Sequence, residues 1–349
     1  MDAALKVTEQ QVASCLDSRV LKLIILPTEQ CNFRCTYCYE DFLIGKMPEW
    51  VIAAVERLID RRIPALKLLQ LSWFGGEPLA AKDVLLRIAR HAFDSAQRHG
   101  VAFSGGMTTN GSLLNSSLLK ALHEVQHCEY QITLDGDQPQ HDTTRVKANG
   151  AGTFDQIWNN LCAARDFDGD VKVMLRMHVT GQNTDSLLRL LEKCDKELLP
   201  SNKFSIHFHR VSNLGGPGGK SVPPLGWGQY KEILKKLQPS TALQSSSEVA
   251  LSEQGDICYA AKPNSLLIRA DGRIGKCTVA MNDPRNDVGV LGEDGTLTFN
   301  NRRLQLWFEG FADMNAKVLG CPLGTLGYET SVVEETKSHT HREIEFSLA

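Results

Sequence analysis

Between residues 20 and about 210, short apolar runs of β type alternate with longer stretches of helical period. No other feature constrains the fold as strongly. Parallel strands need a crossover between neighbours, so this alternation reads as βα units building a parallel sheet or barrel. The runs predict six strands, over 20–26, 68–73, 102–108, 130–134, 171–179 and 204–211, with helices over 81–97, 114–124, 154–166 and 184–197. On parallel barrels the functional groups gather at the C-terminal ends of strands, so the residues just after each strand are the ones to inspect.

After the sixth strand the pattern breaks. Residues 213–228 are rich in Gly and Pro and suit a lid or a connector. A helix over 227–237 and a Ser-rich linker over 240–247 follow, and then short strands with turns at Asp271-Gly272 and Asp294-Gly295. A boundary near 245 divides the chain into an N-terminal segment (1–19), a main α/β domain (20–245) and a smaller C-terminal unit (246–349). A chain of 349 residues has room for both domains, and no internal repeat is present. Lys and Arg total 38 against 41 Asp and Glu, for a net charge of -3 with the signs interspersed, which argues against nucleic acid as the main partner. No apolar run approaches the roughly 18 residues of a membrane span, and the first twenty residues lack a secretory pattern. No membrane association and a cytoplasmic location are therefore expected.

Ten cysteines in a cytoplasmic chain point to metal or redox chemistry, because that compartment keeps thiols reduced. Cys15, Cys128, Cys162 and Cys194 stand singly in apolar or helical surroundings and read as small hydrophobes. Cys31-Asn-Phe-Arg-Cys35-Thr-Tyr-Cys38 lies directly after the first strand, where one loop can turn three sulfurs inward. Three thiolates on a four-iron cluster leave one iron open to another ligand. The other readings are a zinc site or a structural cluster; structural zinc takes four protein ligands, and no fourth Cys or His lies nearby.

The three-and-two spacing, with Tyr37 before the last cysteine, resembles the signature of the radical S-adenosylmethionine (SAM) superfamily. Other motifs agree in order. Trp73-Phe-Gly75-Gly76-Glu77-Pro78 resembles the family's GGEP motif, which implies a contact with the amino group of SAM, Glu77 being a charged acceptor suited to an ammonium. Asn110 in Thr108-Thr-Asn-Gly111 and Asp135 in Thr133-Leu-Asp-Gly136 resemble positions that line the ribose and methionine parts of SAM. Arg176, a charge inside the fifth strand, resembles an arginine that meets the SAM carboxylate; a structural ion pair is the other reading. His141-Asp142-Thr-Thr-Arg145 resembles a segment whose arginine stabilises the loop or contacts substrate. The resemblance covers about residues 24–183 and implies a partial (β/α)6 barrel. It also implies a [4Fe-4S] cluster on Cys31, Cys35 and Cys38, and cleavage of SAM to a 5'-deoxyadenosyl radical that abstracts hydrogen from substrate.

Cys258 is followed by thirteen residues, Gly272, four more residues and Cys277, a spacing that resembles the opening of the SPASM/twitch extension with its auxiliary iron-sulfur clusters. The third cysteine, Cys321, is followed by Pro-Leu-Gly where the family carries further cysteines. A two-cluster SPASM domain is thereby excluded. What the resemblance leaves is one auxiliary [4Fe-4S] cluster on Cys258, Cys277 and Cys321 with an open or non-cysteine fourth ligand, in a small α+β extension; a zinc site or a degenerate remnant is the alternative.

Enzymes with this extension often modify peptides. Sulfatase-maturing members commonly place an Asp after the hairpin-closing cysteine, where this chain has Thr278. That departure favours a peptide maturase forming a C–C or C–S crosslink over sulfatase-type maturation. Twitch-type dehydrogenation of a small polar metabolite is a further enzymatic reading, and an iron-sulfur binding module the non-enzymatic one. The partners implied are a peptide substrate and a flavodoxin- or ferredoxin-type reductant. About twenty residues precede the first strand, too few for a fused leader-binding domain, so a precursor peptide is expected to bind the barrel directly or through a separate leader-binding protein.

Overall fold

The computed structural model describes residues 7–198, 201–211, 214, 216–218, 223, 225–237, 245–247 and 257–326. The six expected strands are present as β1 (Val20–Ile25), β2 (Leu68–Trp73), β3 (Ala102–Thr109), β4 (His127–Leu134), β5 (Lys172–Val179) and β6 (Phe204–Arg210). They pair in parallel in chain order, from Val20 opposite Leu68 through to Arg210 opposite Val179, with one register shift at Gly105/Gly106 where β3 meets β4. The crossovers carry α2 (Glu49–Arg62), α3 (Lys82–His99), α4 (Ser116–His123), α5 (Gln138–Thr144), α6 (Phe154–Asp166) and α7 (Thr184–Glu197), and α8 (Trp227–Leu237) follows β6. An N-terminal helix, α1 (Glu9–Leu16), precedes β1 and opens on a capping box at Thr8 and Gln11.

Alternation along the strands separates two environments. Val173, Leu175, Met177 and Val179 of β5 are buried against the helical layer, and the residues between them, including Arg176 and His178, are half-buried on the inner face. The inner face of β6 likewise carries His207 and His209. The barrel lumen is therefore polar, and the main apolar core lies between sheet and helices.

Two features were not legible in the sequence. A short strand, β7 (Ser245–Ser247), falls in the expected Ser-rich linker and adds in parallel to β6. More consequentially, the C-terminal unit does not build a sheet of its own. Its first strand, β8 (Ser265–Ile268), pairs in parallel with β1, and β9 (Arg273–Gly275), β10 (Gly289–Leu291) and β11 (Leu297–Phe299) continue antiparallel, giving one eleven-stranded sheet. Among the described residues no helix is long and apolar enough to cross a membrane. Residues 327–349, part of the expected C-terminal unit, lie outside the described ones.

At the opposite end of the sheet from the cysteines, His127 is fully buried against Trp73 and Phe103. Gly105 faces its ring, and a Cβ there would stand 2.5 Å from it. His127 Nδ1 donates to the Val125 carbonyl at 2.9 Å, Nε2 has no hydrogen-bond partner, and burial pushes the pKa down to about 4 from an ordinary 6.5. The folded state thus keeps His127 neutral while the unfolded chain takes up a proton below the ordinary value. Stability should be full above pH 6.5 and fall toward pH 4, by up to roughly 3 kcal/mol from this group. Urea unfolding across that window should show a shallower acid loss for His127→Gln than for the wild type; equal slopes would remove His127 as a source of acid sensitivity.

Candidate active site

The loop after β1 carries Cys31, Cys35 and Cys38 and is held from three sides. Its backbone pairs with the segment after α5, with Arg34 N donating to Val146 O at 2.8 Å and Thr36 N to Thr144 O at 2.9 Å. Phe33 anchors it in the core at 1% exposure. On the far side, Gly216–Gly218 press directly on it: Gly218 N donates to Cys38 O at 3.0 Å, and a Cβ at Gly216 would stand 2.1 Å from Tyr39 O. These three residues of the 213–228 segment thus lie against the cysteine loop.

The three thiols line one cavity of about 210 Å³, together with Tyr37, Tyr39, Gly75, Gly76, Asn110, Arg145, Arg176, His178 and His209 among others. Burial pushes the Cys31 and Cys38 thiols up to about 12, and Cys35 upward as well. Sulfurs so desolvated become thiolates when a metal centre takes the proton's place. The donor set fits an iron-sulfur cluster: three sulfurs converge on a cavity that also holds the buried Arg145, whose Nε has no hydrogen-bond partner.

Most of the expected SAM-binding residues reach this place. Gly75 and Gly76 present backbone to the cavity with φ of 85° and 45°, and a side chain at Gly76 would collide with Gln30 O at 2.1 Å. Asn110 reaches the cysteine loop through Nδ2 to Asn32 Oδ1 at 2.8 Å. Asp135 is buried beside the cavity and accepts from Tyr37 OH at 3.1 Å and Thr144 Oγ1 at 2.6 Å, with His178 Nδ1 at 3.2 Å. Glu77 calls for a correction. Its side chain is fully buried and does not line the cavity. Its carboxylate accepts from Thr109 Oγ1 at 2.7 Å, Asn110 N at 2.7 Å and Leu79 N at 3.0 Å. It fastens the β2 loop to the β3 loop, and the cavity is lined there by Gly75 and Gly76.

The second cysteine set lies in the C-terminal extension. Cys258, Cys277 and Cys321 interact electrostatically with one another, and Cys258 N donates to Leu319 O at 2.9 Å. Cys277 sits in a turn clamped by Asn286, whose Oδ1 accepts from both Lys276 N and Cys277 N. Among the described residues no three Cys, His, Asp or Glu groups are gathered as closely as a single ion requires; thiols on a cluster attach to separate irons.

Several residues around the two sets, Thr278 apart, were missed in the sequence. Glu29, two before Cys31, forms a buried bidentate pair with Arg269, at 3.0 and 2.5 Å, and Arg269 Nη1 also donates to Met281 O at 2.8 Å. Glu40 accepts from Gly76 N at 2.7 Å, and burial raises its pKa to about 7. Tyr39 OH donates to Thr278 O at 3.1 Å, while Thr278 N donates to Tyr259 OH at 3.0 Å. Each of these three residues directly follows a cysteine, and that common offset was the available signal.

Residues 25–194 match the family described as the radical SAM superfamily. The chain carries a radical SAM domain. A serine-type anaerobic sulfatase-maturating enzyme from Klebsiella aerogenes is 28% identical over 160 residues, which is 42% of this chain and 37% of that enzyme. The chain therefore spans little more than a third of that relative. Among solved structures, anSMEcpe with bound AdoMet and Kp18Cys peptide superposes with a TM-score of 0.64 at 19% identity, over 83% of this chain and 84% of that one. Streptococcus suis SuiB bound to precursor peptide SuiA gives 0.55 at 15% identity, over 86% and 68%. These similarities establish the fold as a partial parallel barrel, matching the radical SAM family over residues 25–194, with a C-terminal extension.

The buried Glu29–Arg269 pair yields a direct test of how this domain is joined to its extension. Arg269→Met leaves Glu29 buried without its partner and should cost about 3–5 kcal/mol in denaturant unfolding, whereas adding Glu29→Leu should restore most of that loss. Strictly additive losses would mean that the pair does not act as a unit.

Proposed function

We propose that this protein is a radical SAM enzyme that abstracts hydrogen from a side chain of a ribosomally made peptide and forms a C–C or C–S crosslink there. The observation that carries the proposal is the shared cavity: Cys31, Cys35 and Cys38 form one wall, and Thr278 and Val279, next to Cys277, form another. A substrate in this space lies between the two cysteine sets. When bound, the cluster on Cys31, Cys35 and Cys38 and the SAM beside it supply hydrogen-atom abstraction from an unreactive C–H bond. The chain's own residues bind and exclude. The backbone of Gly75 and Gly76, with Tyr37, Asn110 and Arg176, would orient SAM; Asp135 holds Tyr37; and Gly216–Gly218 shield the cysteine loop from water. Cys258, Cys277 and Cys321 would hold an auxiliary cluster whose fourth ligand is not a cysteine.

Peptide-bound fold neighbours support a peptide substrate. A flavodoxin- or ferredoxin-type reductant would supply electrons, and a separate protein could present the leader. None of the ten cysteines is in a disulfide, in keeping with action in the cytoplasm. The Klebsiella relative favours a second reading, sulfatase maturation. Against it, the position after Cys277 offers no carboxylate, and the Thr278 hydroxyl lies 2.8 Å from Tyr259 OH. A sulfatase-derived Ser or Cys peptide converted to a hydrazine-reactive aldehyde would establish that second reading.

Anaerobically reconstituted protein should contain about eight irons, falling to about four in the Cys258/Cys277/Cys321 triple Ala variant. Cys35→Ala should abolish 5'-deoxyadenosine formation from SAM under dithionite. Undiminished 5'-deoxyadenosine from that variant would sink the proposal.

A further inference from the structure

Arg145 is a buried arginine that hydrogen-bonds no carboxylate among the described residues. It is 7% exposed, at the start of the segment that pairs with the cysteine loop, and it makes no salt bridge among the described residues. Its Nη1 donates to Tyr37 OH at 2.8 Å, its guanidinium lies 5.9 Å from the Phe33 ring centroid, and its Nε is buried with no hydrogen-bond partner. Asp135 and Glu77 act on Arg145 electrostatically, but their hydrogen bonds go elsewhere, Asp135 to Tyr37, Thr144 and His178 and Glu77 to Thr109, Asn110 and Leu79. A guanidinium keeps its charge at every accessible pH. A buried guanidinium is costly unless it is both paired in contact and fully hydrogen-bonded, so with its Nε unpartnered the environment is incomplete as the protein alone presents it.

The missing anion has an address. Arg145 lines the same cavity as Cys31, Cys35 and Cys38, and its electrostatic partners include Cys35. A four-iron cluster on three thiolates is a net anion, and its reduction adds one further negative charge without breaking a bond. Charge and hydrogen bonds near the sulfurs set the potential of such clusters. We propose that Arg145 is a positioning residue that supplies the buried countercharge, and an N–H donor, to the cluster on Cys31, Cys35 and Cys38, and so raises its reduction potential. The reducing electron comes from the reductant of flavodoxin or ferredoxin class.

This inference rests on the radical SAM reading of the site, and the experiment separates the two. In the Cys258/Cys277/Cys321 triple Ala background, iron content and the EPR-monitored midpoint are measured for Arg145, Arg145→Gln and Arg145→Lys. Arg145→Gln should retain iron and lower the equilibrium constant for reduction on the order of tenfold, about 59 mV for one electron. Arg145→Lys keeps the charge but loses the Nε donor, and its midpoint should fall less. Full iron with an unmoved midpoint in Arg145→Gln overturns the assignment, and is the result expected if Arg145 only contacts substrate. Should Arg145→Gln fail to hold iron, a lowered midpoint in Arg145→Lys supports the assignment and a wild-type midpoint overturns it. Absence of iron with Arg145 intact would instead sink the reading of the site itself.

Discussion

The molecule depends on β1 having a parallel partner on each side. Its pairing with β2 makes it the first strand of the barrel, and its pairing with β8 joins the C-terminal unit to the same sheet. The first cysteine loop leaves the C-terminal end of β1, and the hairpin leading to Cys277 leaves the C-terminal end of β8. Because parallel neighbours end on the same side, the two loops emerge next to each other. The Glu29–Arg269 pair and the Tyr39–Thr278–Tyr259 chain then fix their spacing.

Electrostatics gives the cavity its character. A polar lumen sits inside an apolar shell, and the charges that enter it are mostly engaged: Glu77 by two backbone amides and a hydroxyl, Glu40 by the Gly76 amide, Asp135 by Tyr37, Thr144 and His178. Buried polar groups persist in this way only when satisfied. His207 and His209 are held neutral by burial and by the nearby Arg176. These networks leave the sulfurs, the glycine backbone and the lumen side chains facing the cavity.

Much of this was legible in the sequence because local signals and tertiary demands coincide. β2, α6, α7 and α8 begin and end where periodicity places them, since each is a regular amphipathic or buried run. The cysteine loop was legible from spacing alone. What could not be read depends on pairing between distant segments. β4 begins at His127, three residues ahead of the expected start, because His127-Cys128-Glu129 lacks an apolar run and is ordered by its pairing with β3. The union of β8 with β1 links residues more than two hundred apart, and no local pattern announces it. Glu77 carries a role that its motif did not announce: its carboxylate, buried among Thr109, Asn110 and Leu79, fastens two loops together.

The central claim is that Cys31, Cys35 and Cys38 hold a cluster with one iron left open for SAM. The most direct measurement is the EPR spectrum of the dithionite-reduced triple variant lacking Cys258, Cys277 and Cys321, recorded without and with SAM. A single four-iron signal whose g-values shift when SAM is added is the predicted result. A four-iron signal indifferent to SAM, or no such signal at all, would contradict the account.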